Sequence, residues 1–315
     1  QDDGEPGGGG AGADALEDVQ AVLQAVPEGS GRVEVTSYQT LNDAALNGYR
    51  GISIFTSSAN VRFNRFSRSL GLASWPASNR YLYYESSPFT NLMCGLEYLI
   101  DRDGQQRDTS YTTVAAQSGN VLLLRSRAYL GLGFVAEQNV YNPIKEQEEM
   151  FRMATGLDDA LYTHLKYDTL EAPEACDLRA SGTSGTQYSY STQDADGQSE
   201  LSISYVVPQD GLLVATTKSS GNYDLTVYRN GERLFTRNIK VRCLFSLGCF
   251  KAGDTVTRAE RRRVRRGTFP PVPERLERDG GHGHQPVRHG GRRRGRPVLH
   301  IHSLRERLAR LCGRR

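Results

Sequence analysis

Residues 46–101, LNGYRGISIFTSSANVRFNRFSRSLGLASWPASNRYLYYESSPFTNLMCGLEYLID, form the longest run in the chain that combines periodic apolar residues, turn chemistry and an aromatic cluster without low complexity. Ile52–Phe55 is apolar and β-prone, which predicts a short strand. Ser57 and Ser58 stand where they can cap a following helix, along which Phe63, Phe66 and Leu70 share a face before Gly71 ends it. Trp75–Tyr84 holds Trp75, Tyr81, Tyr83 and Tyr84, the densest aromatic cluster of the sequence. Thr90–Leu96 predicts a second capped helix, running into a strand at Tyr98–Ile100.

Outward from this stretch the same interleaving continues. Residues 1–13 are a Gly/Asp-rich flexible linker. Asp14–Val26 spaces Leu16, Val19, Val22, Leu23 and Val26 as one helical face, with Pro27 as a stop. Arg32–Tyr38 alternates like a half-buried strand, and Val121–Leu124 and Tyr129–Phe134 predict two more. Asn142-Pro143 opens a last helix with Met150, Phe151 and Ala154 on one face and Gly156 at its end. Helices and strands so mixed predict an α+β domain over residues 14–170. From Cys176 the texture changes to alternating segments such as SELSISYVV, LLVATTK, YDLTVYRN and GERLFTR, with turn signals between them. Asn230-Gly231 between two such runs is a strong hairpin signal. Residues 176–257 therefore predict an antiparallel, jelly-roll-like β-sandwich, incomplete at its C-terminal end because the patterning stops after Thr257.

The formal net charge of +3 hides a split. Residues 1–257 carry 21 Lys and Arg against 31 Asp and Glu, a net of −10, whereas residues 258–315 carry 18 Arg and no Lys against five acids, a net of +13. Five of the six histidines also lie in that tail. No run reaches the roughly 18 apolar residues of a membrane span. The opening residues have neither the basic nor the apolar region of a signal peptide, so the expectation is a chain that begins inside a longer polypeptide.

Candidate chemistry is sparse. Cys94, Cys176, Cys243, Cys249 and Cys312 are not spaced as a zinc site; Cys243 and Cys249 could pair across a turn, but separate thiols are the simpler expectation. Asp101-Arg-Asp103-Gly104 and Asp194-Ala-Asp196-Gly197 look like calcium-loop fragments without the closing Glu, and turns account for both. Glu146, Glu148 and Glu149 suit a helix start. His164 precedes the tail alone and nothing marks a catalytic partner for it. His282, His284, His300 and His302 lack the ligands that would complete a metal set. The basic tail has one aromatic residue, Phe269, so it lacks stacking platforms and nucleic acid is not expected as a partner. No catalytic residue, metal or cofactor is assigned. Trp75, Tyr81, Tyr83 and Tyr84 have two readings: core and rim of the first domain, or a platform for sugar rings with Asn79 and Arg80 supplying directed hydrogen bonds.

Several motifs, in order, carry a family resemblance. They are Asn47-Gly-Tyr-Arg-Gly51 leading to Phe55-Thr-Ser-Ser58, Arg65-Phe66 with Leu70-Gly71, Asn79-Arg-Tyr81, Pro88-Phe-Thr90 and Leu96-Glu-Tyr-Leu-Ile100. Leu132-Gly-Phe134, Asn142-Pro143 with Thr155-Gly156, Val227-Tyr-Arg-Asn-Gly231, and Phe245-Ser-Leu-Gly248 before Gly253-Asp-Thr-Val256 follow. Over about residues 14–257 the chain resembles the YfhO family of bacterial multi-pass membrane proteins, in the portion outside the membrane. The resemblance implies a membrane glycosyltransferase of the lipid-linked-sugar type that decorates cell-envelope polymers such as lipoteichoic acid. It implies catalytic acids in the membrane portion, which this chain lacks. The implied partners are a cell-envelope glycopolymer or lipid-linked sugar and that transmembrane portion, at the extracytoplasmic face. The rivals are a secreted carbohydrate-binding module and a structural spacer. Residues 258–315 depart from the family: their Arg/Gly/Pro/His mixture is what GC-rich DNA yields out of frame. A codon spelling of residues 300–315 moved one base on reads as a strand–turn–strand ending of this family. The tail is therefore expected to be an out-of-frame, disordered segment.

Overall fold

The computed structural model describes residues 11–75, 79–127, 129–131, 147–155, 161–165, 169–171, 176–180, 188–192, 200–217, 223–262 and 299–304. Of the strand expected at Tyr129–Phe134, residues 129–131 are not in a strand and 132–134 lie outside the described residues, as do the helix start at Asn142, the turn at 194–197 and Cys312.

The first half begins with helix α1 (Ala11–Leu23), strand β1 (Arg32–Val35), α2 (Asp43–Asn47), β2 (Ile54–Phe55) and α3 (Val61–Ser69). Then come β3 (Ala73–Ser74), β4 (Arg80–Leu82), α4 (Pro88–Cys94), β5 (Leu96–Asp101), β6 (Thr112–Ser118), β7 (Val121–Ser126) and α5 (Gln147–Thr155). A mixed sheet has the order β1-β5-β7-β6, with β1 and β5 parallel and the rest antiparallel. A small sheet, β2-β4-β3, lies beside it in sequence.

The mixed sheet is covered on both faces, which is why β5 and β7 read as near-continuous apolar runs and not as alternation. Val19 and Val22 of α1 pack with Val33, Val35, Tyr98, Ile100, Val121 and Leu123. Leu99, Leu122 and Leu124 turn the other way, toward Phe89 and Leu92 of α4 and Met150 and Phe151 of α5. Each such side chain fully removed from water contributes roughly 1.5–3 kcal/mol. The half-buried expectation for β1 is corrected for the same reason: Glu34 is fully buried within it, its carboxylate accepting backbone N–H groups of Ile52 and Ser53 at 2.8 Å.

Three helices start two or three residues away from the sequence expectation, α1 at Ala11 inside the expected 1–13 linker and not at Asp14. Asn60, rather than Ser57 or Ser58, caps α3, its side-chain oxygen accepting from the N–H groups of Arg62 and Phe63. Phe63 does not share a buried face with Leu70; it is 40% exposed, and α3 buries Asn64 and Ser67 instead. Helix α4 is capped by Ser87, has Pro88 in its first turn and ends on Gly95 at φ 63°.

The second half continues with β8 (Tyr162–His164), β9 (Thr169–Glu171), β10 (Cys176–Ala180), β11 (Tyr188–Thr192), β12 (Glu200–Val206) and β13 (Gly211–Thr217). It closes with β14 (Tyr223–Arg229), β15 (Glu232–Ile239), β16 (Leu244–Phe250), β17 (Thr255–Arg262) and β18 (Leu299–Leu304). A five-stranded sheet, β15-β14-β17-β12-β9, faces a four-stranded one, β16-β13-β18-β8; β10 and β11 pair separately. The pairings within these sheets are antiparallel. The Asn230-Gly231 turn forms as expected, with φ 51° and 85° at its two central residues.

Within the four-stranded sheet, β13 and β16 are buried on both sides. Leu213 and Ala215 of β13 enter the sandwich core with Leu201, Ile203, Leu225 and Val227, whereas Leu212 and Val214 join the cluster of α4, α5 and β7. Apolar contact therefore runs continuously from the mixed sheet into the sandwich. Strand pairing also runs past Thr257 to Arg262, and Leu299–Leu304 lies between β13 and β8. Sequence patterning missed both pieces because ladder hydrogen bonds use backbone groups and do not depend on which side chains they carry.

Candidate functional site

The expected aromatic platform is divided by the pleat and by burial. Tyr83 is 1% exposed and donates its hydroxyl to Asn91 Oδ1 at 2.9 Å; Tyr84 is 7% exposed, its hydroxyl 3.0 Å from that of Tyr38. Burial pushes the Tyr83 and Tyr84 phenols above the ordinary tyrosine range. Tyr81 is half-buried against Phe63, with ring centroids 5.1 Å apart. Trp75 and Arg80 do come together, the guanidinium carbon 4.4 Å from the indole centroid. Asn79 is half-buried and its carbonyl accepts from the Thr56 N–H. These six residues thus do not present one common face.

The structure concentrates charge elsewhere, where the loop after β5 meets the sandwich. Glu85 follows the aromatic run at φ 45°, a left-handed conformation in which a non-glycine residue is strained. It is 3% exposed, and its Oε2 accepts from Arg107 at 3.0 Å and from Arg237 of β15 at 3.2 Å. Arg107 also reaches Asp101 at 3.4 Å and Asp103 at 3.2 Å, and Arg237 donates to the Tyr84 carbonyl at 3.0 Å. Both guanidiniums lie near the Phe235 ring, at 5.1 and 5.4 Å from its centroid.

Burial pushes the Glu85 carboxyl upward, with Arg107 and Arg237 working against that shift. Asp108 is raised to about 7, chiefly by burial and then by the neighbouring Glu85 charge. Asp101 is held as a turn, as expected: its Oδ1 accepts from the N–H groups of Asp103 and Gln105, and its Oδ2 from the Thr36 hydroxyl. Among the described residues no group of three or more His, Cys, Asp or Glu side chains is disposed to hold a metal ion. Cys94, Cys243 and Cys249 are free thiols; Cys243 and Cys249 flank and occupy the same strand, β16, so they do not face each other across a turn.

Two clefts open along this seam, and Arg107 lines both. One, of about 290 Å³, lies between the β1 end and β15, with Tyr38, Tyr84, Asp103, Phe235, Asn238 and Lys240 in its wall. The other, of about 440 Å³, is bordered by Gln105, Ser110, Asp210, Arg229, Leu234 and Lys251. There Arg229 stacks 4.3 Å from the Phe250 centroid and Lys251 pairs with Asp210 at 2.7 Å. Sequence reasoning missed Glu85, Arg107, Arg237 and Asp108, because single charges up to 152 residues apart carry no local pattern.

An α+β domain followed by an antiparallel β-sandwich, with a charged seam between them, is the class of protein these features define. The chain belongs to the family described as bacterial membrane protein YfhO, whose model matches residues 12–257. No helix among the described residues is long and apolar enough to cross a membrane. No curated protein matches the chain. Among solved structures it is similar to the Podospora anserina GH26-CBM35 beta-(1,4)-mannanase, with TM-score 0.26 and 8% identity, over 46% of this chain and 28% of that one. It is also similar to the carbohydrate-binding module CBM36 in complex with calcium and xylotriose, with TM-score 0.23 and 9% identity, over 45% of this chain and 99% of the module. Likeness at this level carries no functional weight.

Proposed function

We propose that this chain is the extracytoplasmic portion of a multi-pass membrane glycosyltransferase that decorates cell-envelope polymers such as lipoteichoic acid. In this proposal the chain holds or shapes the place of the acceptor polymer, and the chemistry belongs to the membrane portion. The observation that carries it is the family match over residues 12–257. The commitment of the buried acids supports the non-catalytic role: Glu34 is tied to backbone N–H groups, Glu85 to two guanidiniums and Asp108 to a serine hydroxyl. The test is deletion of the gene in its host followed by sugar analysis of the purified lipoteichoic acid. Loss of its hexose is the expected result, and an unchanged sugar content would overturn the proposal. A bundle of membrane spans encoded in frame before Gln1 is expected as well; a signal peptide there would favour the secreted carbohydrate-binding module instead.

The tail belongs to the same proposal. Residues from about 258 onward are the product of a shifted reading frame, which the end of the family match at 257 supports. The inward side of β17 supports it too. Val256, Arg258 and Glu260 face the core in succession, at 0%, 0% and 1% exposure, so apolar patterning gives way to charge one residue past Thr257. Resequencing codons 250–315 decides it; a single intact frame ending at Arg315 would sink it.

A further inference from the structure

The two clefts share more than Arg107. The loop after β5 supplies Asp103 to the smaller cleft and Gln105 and Ser110 to the larger, while β15 supplies Phe235 to the smaller and Leu234 to the larger. They are thus bordered by the same two segments and lie on either side of one side chain. A ligand that filled both would be elongated.

The chemistry of the walls narrows its class. The guanidiniums of Arg107 and Arg237 are already matched to Glu85, Asp101 and Asp103, so the seam is not a bare cationic site. The walls still offer donors and acceptors side by side: Lys240, exposed and with no ion pair among the described residues, and the Gln105 amide against the Asp103 and Asp210 carboxylates. Tyr38, Phe235 and Leu234 add partly buried apolar surface between them. Hydroxyl groups both donate and accept, so a chain of polyhydroxylated units matches such a lining better than a purely anionic or purely apolar ligand does.

We infer that the seam on both sides of Arg107 is a binding groove for a polyhydroxylated chain, several sugar or polyol units long. This rests on the reading of the chain as the holder of an acceptor polymer. The shared chemistry is the row of hydroxyls, which either a hexose oligomer or a polyol phosphate polymer supplies.

The test uses the whole 315-residue chain, with gluco-, galacto- and manno-hexaose and delipidated poly(glycerol phosphate) as probes, followed by calorimetry. Thr236→Trp and Gln105→Trp, both at exposed positions, fill one cleft each; Thr113→Trp on the exposed face of β6 is the control, and all three are checked for an unchanged unfolding midpoint. At least one probe is expected to bind, with affinity falling tenfold or more in each cleft variant and staying level in the control. Preference for the phosphate polymer would assign the hydroxyls to a polyol phosphate, and preference for a hexaose to a glycan. Binding unaffected by both cleft variants but lost in Trp75→Ala would overturn the seam and leave the acceptor-holding role intact. Binding of no probe would overturn both, whatever the sugar analysis of the deletion strain gives for the parent enzyme.

Discussion

Ser246 of β16 donates its hydroxyl to Asp108 Oδ1 at 2.5 Å, a bond that spans 138 residues and ties the loop after β5 to the sandwich. The Asp108 carboxyl it reaches is buried and titrates at about 7 in the folded chain. In the unfolded chain an aspartate titrates near ~4. Between those values the folded state holds more protons than the unfolded one, so this group makes stability fall as pH rises from about 4 to about 7, and adds no further slope above that. Asp108→Asn should remove this negative contribution to the pH slope of the unfolding free energy, read from urea titrations within that window, a change of at most about 1.4 kcal/mol per pH unit. An unchanged slope between wild type and variant would show that the carboxyl titrates elsewhere.

Glu85 has the opposite kind of importance, because two cations depend on it. Arg107 and Arg237 are 9% and 13% exposed; Glu85→Ala takes the carboxylate from Arg237 and leaves Arg107 only Asp101 and Asp103. Removing one member of a buried ionic set costs about 3–5 kcal/mol, whereas an exposed partner contributes less than about 1 kcal/mol. Asp103, 55% exposed, is the internal comparison. Chemical denaturation should therefore rank Glu85→Ala far below wild type and Asp103→Ala close to it. Equal losses in the two would mean that the set behaves as a surface network.

The sequence carried those parts of the fold that depend on neighbours in the chain. Asn230-Gly231 announces its hairpin because both residues accept positive φ, and Val19 and Val22 announce a buried helical face by their spacing. Leu212–Ala215 looks like any apolar run, yet its four residues serve two different cores, which only the stacking of three sheets determines. The site was the least legible part. Tyr83 and Tyr84 sit in the right composition for a sugar platform, but the chain past β4 buries them in two different apolar clusters, and the charged seam is assembled from segments that no local pattern connects.

Gly71 is a second joint between the halves. Its carbonyl accepts from the Leu244 N–H at 2.7 Å, its φ is +90°, and an added Cβ would stand 2.8 Å from the Leu244 Cβ. Both the backbone conformation and the space exclude a side chain, so Gly71→Ala should cost at least about 2 kcal/mol. Amide exchange should then accelerate in β16 more than in β1. A variant as stable as wild type would show that α3 and β16 can slide apart without loss.

Arg258 and Glu260 give the last prediction. They face the sandwich core from β17, opposite Ile203 and Leu201 of β12, and pair with each other there. Burial pulls the Arg258 pKa below its ordinary value, with the Glu260 charge acting against that shift. Desolvating two charges opposes folding, and replacing a buried ion pair by apolar residues of similar size is often neutral or stabilises by about 1–4 kcal/mol. Arg258→Met with Glu260→Leu should raise the unfolding midpoint, whereas Glu260→Leu alone should lower it by leaving Arg258 charged and buried. This double substitution restores the apolar alternation that Val256 begins, as the shifted-frame proposal requires of β17. If the double variant is less stable than wild type by as much as the single one, the pair belongs in the core and the proposal loses its structural support.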